Sequence, residues 1–593
     1  MADQPDHPFD PALTWSDDGS PRSGRFGDVY FSAQDGLAET RAVFLEGCDL
    51  PAAWAGRRHF TVAELGFGTG LNVLALMDLW LRTRPEGGRL SVFSIEAFPM
   101  SAEEAGRALA RWPELAEITE LLLRRWPPRT PGFHRIDLSE FGAVIDLAIL
   151  EVAEALSAWS GAADAWFLDG FSPASNPAMW RDEVLDLIAA RSAPGARAAT
   201  FTVAGHVRRG LSERGFAVAK QPGFGRKRER LEAVFEGSPA ATQPQPRVAI
   251  VGGGIAGAAL VRAFKALGAD PVLVEAAEPG AGASGNAAAL VTPRLDAGGG
   301  PVAMLYAQAF ERAVELCHRE APDAILAQGV LQLEHQDRDT RRFDTVAAQP
   351  FWAPSTVTRL SSAIAAARLG EVQTRGGLDL TRALVVEPLP LLQAWLGATR
   401  AIRGKVAAVE RREGAWRLLD ADGAILAEAE IVCVAAGWGN IALRTDLPLS
   451  PVRGQATTAA HVPPAALAWG GYVVPTRKGL LFGATHDRGD TTDDLRPEDD
   501  RRNLESLARV LPVLAAQLAP QELQGRASIR AVTPDRLPLA GSLRDGLHVL
   551  GGLGSRGFCA APLLAEHVAA MALGTPSPLP RSLAGLVAPS RFA

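Results

Sequence analysis

Two stretches of the chain share one hydrophobic plan. The apolar run His59–Leu65 ends in a glycine turn, residues 71 to 81 carry apolar side chains at helical spacing, and 90 to 95 is apolar again. The same order returns at Val248–Val251, 255 to 267 and 271 to 275. Apolar runs too short for helices, separated by stretches of helical period, predict strand–helix–strand units and so an α/β fold with a parallel sheet in each half. Runs at 143 to 150, 164 to 168 and 197 to 201 add strands to the first sheet. Ahead of it lie short elements, 28 to 31 and a helix-like 36 to 44, whose role spacing does not define. In the second half, 376 to 426 reads as the helix and strands of an inserted domain.

The two glycine turns differ in chemistry. Gly252, Gly254 and Gly257 follow their strand in G-x-G-x-x-G spacing. The first allows a tight turn, the second lets backbone approach a pyrophosphate, and the third lets helix and strand pack closely, with the helix N-terminus toward the phosphates. Glu275, twenty-three residues past Gly252, closes the next strand where a carboxylate can accept ribose hydroxyls. The earlier turn is Glu64-Leu65-Gly66-Phe67-Gly68-Thr69-Gly70, an acid followed by G-x-G-x-G. Its acid precedes the turn, a pattern that resembles the first motif of Rossmann-like methyltransferases that bind S-adenosylmethionine. On that resemblance Gly66, Gly68 and Gly70 admit the amino-acid part of the ligand, Glu64 orders the loop, Glu96 takes the ribose hydroxyls and Glu151 the adenine amino group. Glu151 departs from the glycine–aspartate pair more usual there.

Composition narrows the class. At 593 residues the chain exceeds a single core, and 47% hydrophobic with 21% charged residues is an ordinary globular balance. Cys48, Cys317, Cys433 and Cys559 are scattered without metal-ligand spacing, so no metal site is expected and a reducing cytoplasm fits. The polar N-terminus lacks a signal-peptide pattern and no apolar span reaches bilayer length, so neither export nor membrane anchoring is expected. Net charge is −7, yet eight cations against two acids fall between His206 and Arg230. Phe224, Arg226, Lys227 and Arg228 there suit a phosphate backbone with a stacked base; a solvated charged face is the other reading. The proline-containing stretch 237 to 246 reads as a linker between a first domain, 1 to 236, and a second, 247 to 593, whose substrate subdomain spans roughly 300 to 425 and 450 to 530.

Three later segments complete a family pattern: Ser284-Gly285-Asn286, the run ending at Gly437, and the run holding Gly552, Gly554 and Arg556. With the fingerprint at Gly252 they resemble the FAD-dependent amine and amino-acid oxidases, the glycine oxidase type in particular. The resemblance implies an FAD-binding Rossmann-type domain with an α+β substrate domain of the glycine/D-amino-acid oxidase type. It also implies that Arg530 grips a substrate carboxylate and that Tyr472 lines the same face.

A methyltransferase followed by such a flavoenzyme, with the segments DAWFLDGFSPASNP, GFGRKRE and GGGIAGAAL in this order, resembles the bifunctional tRNA 5-methylaminomethyl-2-thiouridine biosynthesis family over nearly the whole chain. The resemblance implies sequential work on a tRNA wobble uridine, with no membrane and no obligate partner protein. The FAD half removes the carboxymethyl group of 5-carboxymethylaminomethyl-uridine, and the S-adenosylmethionine half methylates the exposed amine. Asp169 would orient that amine, and Phe171 would pack on a flat base or against the cationic sulfonium. A free amino-acid oxidase fused to a small-molecule methyltransferase is the alternative, and a tRNA-binding module without chemistry a more distant one.

Overall fold

The computed structural model describes residues 9 to 32, 35 to 225, 227 to 239, 244 to 443, 447 to 463 and 465 to 593; Arg226 lies outside them. The chain divides into two compact units. One runs to Pro244 and takes in Thr575–Arg581; the other comprises Gln245–Gly574 and Ser582–Ala593. The segment Thr575–Arg581 was expected with the second domain but belongs to the first unit, where Arg581 Nε donates to Trp159 O at 3.1 Å.

The first unit is built on an eight-stranded sheet of β1 His59–Leu65, β2 Arg89–Ile95, β3 Gly132–Leu138, β4 Ala143–Ile149, β5 Ala163–Leu168, β6 Ser192–Thr200, β7 Phe216–Pro222 and β8 Glu229–Phe235. Their order is β3-β4-β2-β1-β5-β6-β8-β7. The middle five strands run parallel, β3 and β8 run against them, and β7, antiparallel to β8, points the same way as the five. Both faces are covered, as a parallel core requires. Along β1, Phe60 and Val62 enter one apolar cluster while Ala63 and Leu65 enter the other, the two-residue period of a strand buried on both sides.

Register places the chemistry. Leu65 pairs with Ile95 on one side and with Leu168 on the other, and Ile95 pairs with Ala148. The glycine turn, Glu96, Asp169 and Glu151 therefore leave the sheet together at its carboxyl edge, where open α/β sheets bind ligands. Gly66 shows how tight that edge is: its φ is +87°, and a Cβ there would lie 2.6 Å from the backbone oxygen of Asp169. Before the sheet, α1 Gly36–Thr40 runs into a π-helical turn, Arg41–Leu45.

The second unit has two principal sheets. The first has the order Ala401–Arg403, Val272–Glu275, Val248–Val251, Ile431–Val434, Leu547–Gly551, Leu539–Arg544, parallel except for the last pair. Helix Ile255–Ala266 starts at its glycine turn, where a Cβ on Gly257 would fall 1.7 Å from Gly252 O. The second is a ten-stranded mixed sheet, in which the hairpin Tyr472–Thr476 and Gly479–Gly483 adjoins Ser450–Ala459, itself paired with Gln524–Val532.

One expectation fails here. Residues 401 to 425 were assigned to the substrate subdomain, but Ala401–Arg403 extends the nucleotide sheet. The three-stranded sheet Ala408–Arg412, Ala415–Leu419 and Ile425–Ala429 packs Trp416, Leu418 and Ala429 against Val251, Val274 and Val432 of that same sheet. Burial of that apolar face, rather than position between two substrate segments, decided where it went.

Candidate active sites

The carboxyl edge of the first sheet opens into a cavity of about 1170 Å³. Gly66, Gly68, Glu96, Glu151, Asp169 and Phe171 line it, and so does Lys227 of the basic run. Glu96 accepts from Gly68 N at 3.0 Å and from Phe98 N at 2.9 Å, which fixes it against the glycine turn. Burial holds its carboxyl above the usual range, and those amides pull the other way. Glu151 stands exposed at the mouth.

Glu64 and Gly70 are not in the lining. Glu64 is 1% exposed and accepts from Ser94 Oγ at 2.5 Å beneath the turn. Burial pushes it up to about 8, against the Ser94 hydrogen bond and with the charge of Asp169. Gly70 closes the turn at φ +82° against the Phe67 ring.

Asp169 is the acid that faces the cavity from β5. Its Oδ2 accepts from Asn72 Nδ2 at 2.6 Å. Burial raises Asp169 to about 7, while Asn72 and Lys227 lower it and Glu39 raises it. Phe171 sits in an aromatic wall that the sequence did not foretell: its ring centroid is 5.2 Å from Phe26 and 5.2 Å from Tyr30. The segment 25 to 31, of undefined role in sequence, thus forms part of the pocket.

The basic run is largely paired. Arg214 meets Asp186 at 2.6 Å, Lys220 meets Glu229 at 2.8 Å, and Arg230 meets Glu232 at 2.7 Å. Lys227 binds Glu39 at 2.8 Å with its ammonium 4.0 Å from the Phe201 ring centroid. Arg208, Arg209 and Arg228 are exposed and have no ion pair among the described residues, and Arg228 does not line the cavity.

A second cavity, about 1140 Å³, opens at the carboxyl edge of the nucleotide sheet. Gly252, Gly254, Glu275, Ser284, Asn286, Gly437, Gly552, Gly554, Arg556, Tyr472 and Arg530 line it. Gly257 and Gly285 do not; each lets backbone pass close, Gly285 with room for no Cβ beside Gly280 O at 2.1 Å. The cradle fits a dinucleotide. Glu275 takes the amide of Gly253 and, at 2.9 Å, that of Ala277; Ser284 Oγ accepts from Ile255 N, the first helical amide, at 3.0 Å. Asn286 is held by Arg526 at 3.1 Å, and Arg556 by Thr292.

Arg530 reaches this cavity from the mixed sheet. Its guanidinium donates to Thr485 O at 3.4 Å and lies 3.5 Å from His486 Nδ1, with no carboxylate partner among the described residues. Burial pulls its pKa down and raises Tyr472 beside it to about 12. His486 and Trp469, also in the lining, carried no sequence signal. Among the described residues no cluster of His, Cys, Asp or Glu is placed to hold a metal, and no helix is long and apolar enough to cross a membrane.

Comparison with known proteins matches this division. Residues 247–571 fit the family model of FAD dependent oxidoreductases, and 113–236 that of S-adenosyl-L-methionine-dependent methyltransferases. A tRNA 5-methylaminomethyl-2-thiouridine biosynthesis bifunctional protein from Caulobacter sp. (strain K31) is 58% identical over 98% of this chain and 97% of its own length. Its counterpart from Maricaulis maris is 42% identical over 98% and 96%. Fructosyl amine: oxygen oxidoreductase from Aspergillus fumigatus shares the fold of the second unit, with TM-score 0.50 at 14% identity over 59% of this chain and 91% of that one. With an acid-lined cavity at the carboxyl edge of one sheet, a glycine-rich cradle at that of another, and these relatives, the chain belongs to the family of bifunctional tRNA 5-methylaminomethyl-2-thiouridine biosynthesis proteins.

Proposed function

We propose that the two units modify one substituent of a tRNA wobble uridine in turn, in the cytoplasm. The FAD unit removes the carboxymethyl group of 5-carboxymethylaminomethyl-uridine, and the methyltransferase unit converts the exposed primary amine to a methylamine. The observation that carries this reading is the pairing of opposite needs: among the described residues one cavity ends in a guanidinium without a carboxylate, the other in a half-buried carboxylate without a cation in direct contact.

FAD supplies a two-electron acceptor, and Gly252, Gly254, Glu275 and Ser284 would hold it. Arg530 would bind the carboxylate that makes the substrate glycine-like, its planar fork making two parallel hydrogen bonds. In the first unit Glu96 would hold the ribose of S-adenosylmethionine, and Asp169 would accept a hydrogen bond from the amine, aim its lone pair at the methyl group and take its proton. Phe171 with Phe26 and Tyr30 offers flat surface to an unstacked base, which a single-stranded anticodon loop releases cheaply.

Nucleoside mass spectrometry of tRNA bearing 5-carboxymethylaminomethyl-uridine tests the scheme. Incubation with the protein should give aminomethyl-uridine, and methylaminomethyl-uridine once S-adenosylmethionine is added. Unchanged tRNA beside oxidised free glycine would overturn it.

A further inference from the structure

Asn72 is the second residue of the helix Leu71–Thr83, a buried carboxamide among apolar neighbours. A polar group stays buried only when its hydrogen bonds are made. Both ends of this one are used. Thr40 Oγ1 donates to Asn72 Oδ1 at 2.7 Å, and Asn72 Nδ2 donates to Asp169 Oδ2 at 2.6 Å. Turning the amide over would set its oxygen against the carboxylate, so only this orientation satisfies all three groups.

Among the described residues nothing else donates to the Asp169 carboxylate. Ionisable groups surround it on several elements: Glu64 lies below on β1, kept protonated at neutral pH by burial, with Glu96 at the end of β2, Glu39 on α1, Asp28 and Arg25 in the same cavity lining, and Lys227 beyond β7, tied to Glu39. Among the described residues neither cation contacts the carboxylate, so the Asn72 hydrogen bond is the direct contact that favours an ionised Asp169.

We infer that Asn72, backed by Thr40, is a positioning residue for methyl transfer: it occupies Asp169 Oδ2 and leaves Oδ1 for the substrate amine. This rests on the reading of Asp169 as the group that orients that amine. In the step, the neutral amine nitrogen bonds the methyl carbon and the S–C electron pair returns to sulfur, leaving a thioether. The amine proton passes to Oδ1. Asn72 touches none of the reacting atoms; it fixes the lone pair that receives the proton and keeps it available.

The test is the pH profile of kcat for methyl transfer at saturating S-adenosylmethionine on tRNA carrying aminomethyl-uridine, with the cofactor's dissociation constant measured alongside. In Asn72→Leu the acidic limb should move up by about one unit, kcat at pH 7 should fall about fivefold and recover at higher pH, and cofactor affinity should stay within about twofold. Thr40→Val should shift the limb the same way by less, and it carries the test if Asn72→Leu does not fold. An unmoved limb in both, or weakened cofactor binding with the profile intact, overturns the inference. Asp169→Asn separates the two claims: if it keeps its rate, the reading of Asp169 falls. If it is inactive while the limb of Asn72→Leu stays put, only the role of Asn72 falls.

Discussion

The two cavities open at the same place on similar sheets, yet their working groups arrive by different routes. In the first unit the cofactor groups and Asp169 all leave one parallel sheet at its carboxyl edge, so register alone gathers them. In the second the nucleotide sheet supplies the cradle and a separate mixed sheet supplies Arg530, through the pairing of Val452 with Arg530. One site is local to a sheet; the other is a meeting of two. A substitution should therefore silence one chemistry and spare its neighbour.

The largest break should come at Arg530. Arg530→Met removes the partner of a desolvated carboxylate and should lower kcat/KM for carboxymethyl removal by about 10²- to 10³-fold, while methylation of tRNA already bearing the primary amine continues. Anaerobic flavin bleaching and methyl incorporation, assayed separately, read the two. Asp169→Asn is the mirror image. It should cost about 10²-fold or more in methyl transfer and leave flavin bleaching untouched. Loss of both activities in either variant would break the comparison.

A pH series sharpens it. Asp169 sits near 7 because burial disfavours its charge, so methyl transfer should fall as pH drops through and below that value, whereas Arg530 stays charged throughout. Glu64 yields a stability effect of the opposite sense. Its folded value, about 8, exceeds that of an unfolded glutamate, so the native state holds the extra proton between them and stability declines as pH rises across that window. Glu64→Gln should flatten the decline, raising the melting temperature at pH 8.5 by roughly 2–4 °C with little change at pH 5. Calorimetry across that range checks the sign.

The smallest effect concerns the basic run. Arg208→Ala with Arg209→Ala should weaken tRNA binding by less than about tenfold and lower its salt dependence, since these exposed cations have no ion pair among the described residues. Lys220→Ala should do less, because Glu229 already neutralises it. Filter binding at several salt concentrations ranks them.

The same contrast governs what the sequence made legible. Strand-end acids and glycine turns were readable in the first unit because strand, turn and helix are contiguous and the sheet aligns their ends. Asn72 was not, since its role depends on Thr40 and Asp169, partners 32 and 97 residues away. Arg530 was found only through resemblance, because no local period marks a residue brought in by a second sheet. The misplacement of 401 to 425 has the same root: nothing local to those strands says which sheet their apolar face will cover. Fold class was open to local pattern, while the far side of each pocket was set by long-range pairing.

The β7–β8 hairpin acts as a measuring stick. Leu231 on β8 faces Thr200 at the end of β6, and Glu229 pairs with Pro222, so the hairpin's tip projects past the same edge as the strand-end acids and sets Lys227 over Phe201. Strands advance about 3.3 Å per residue and change face with every step. Relatives that lengthen this tip by an even number of residues could carry the cation farther out without disturbing a core side chain. An odd insertion must either turn it away or be absorbed as a bulge. The reach of the pocket's cationic rim is thus adjustable in fixed increments, independently of the sheet on which the chemistry stands.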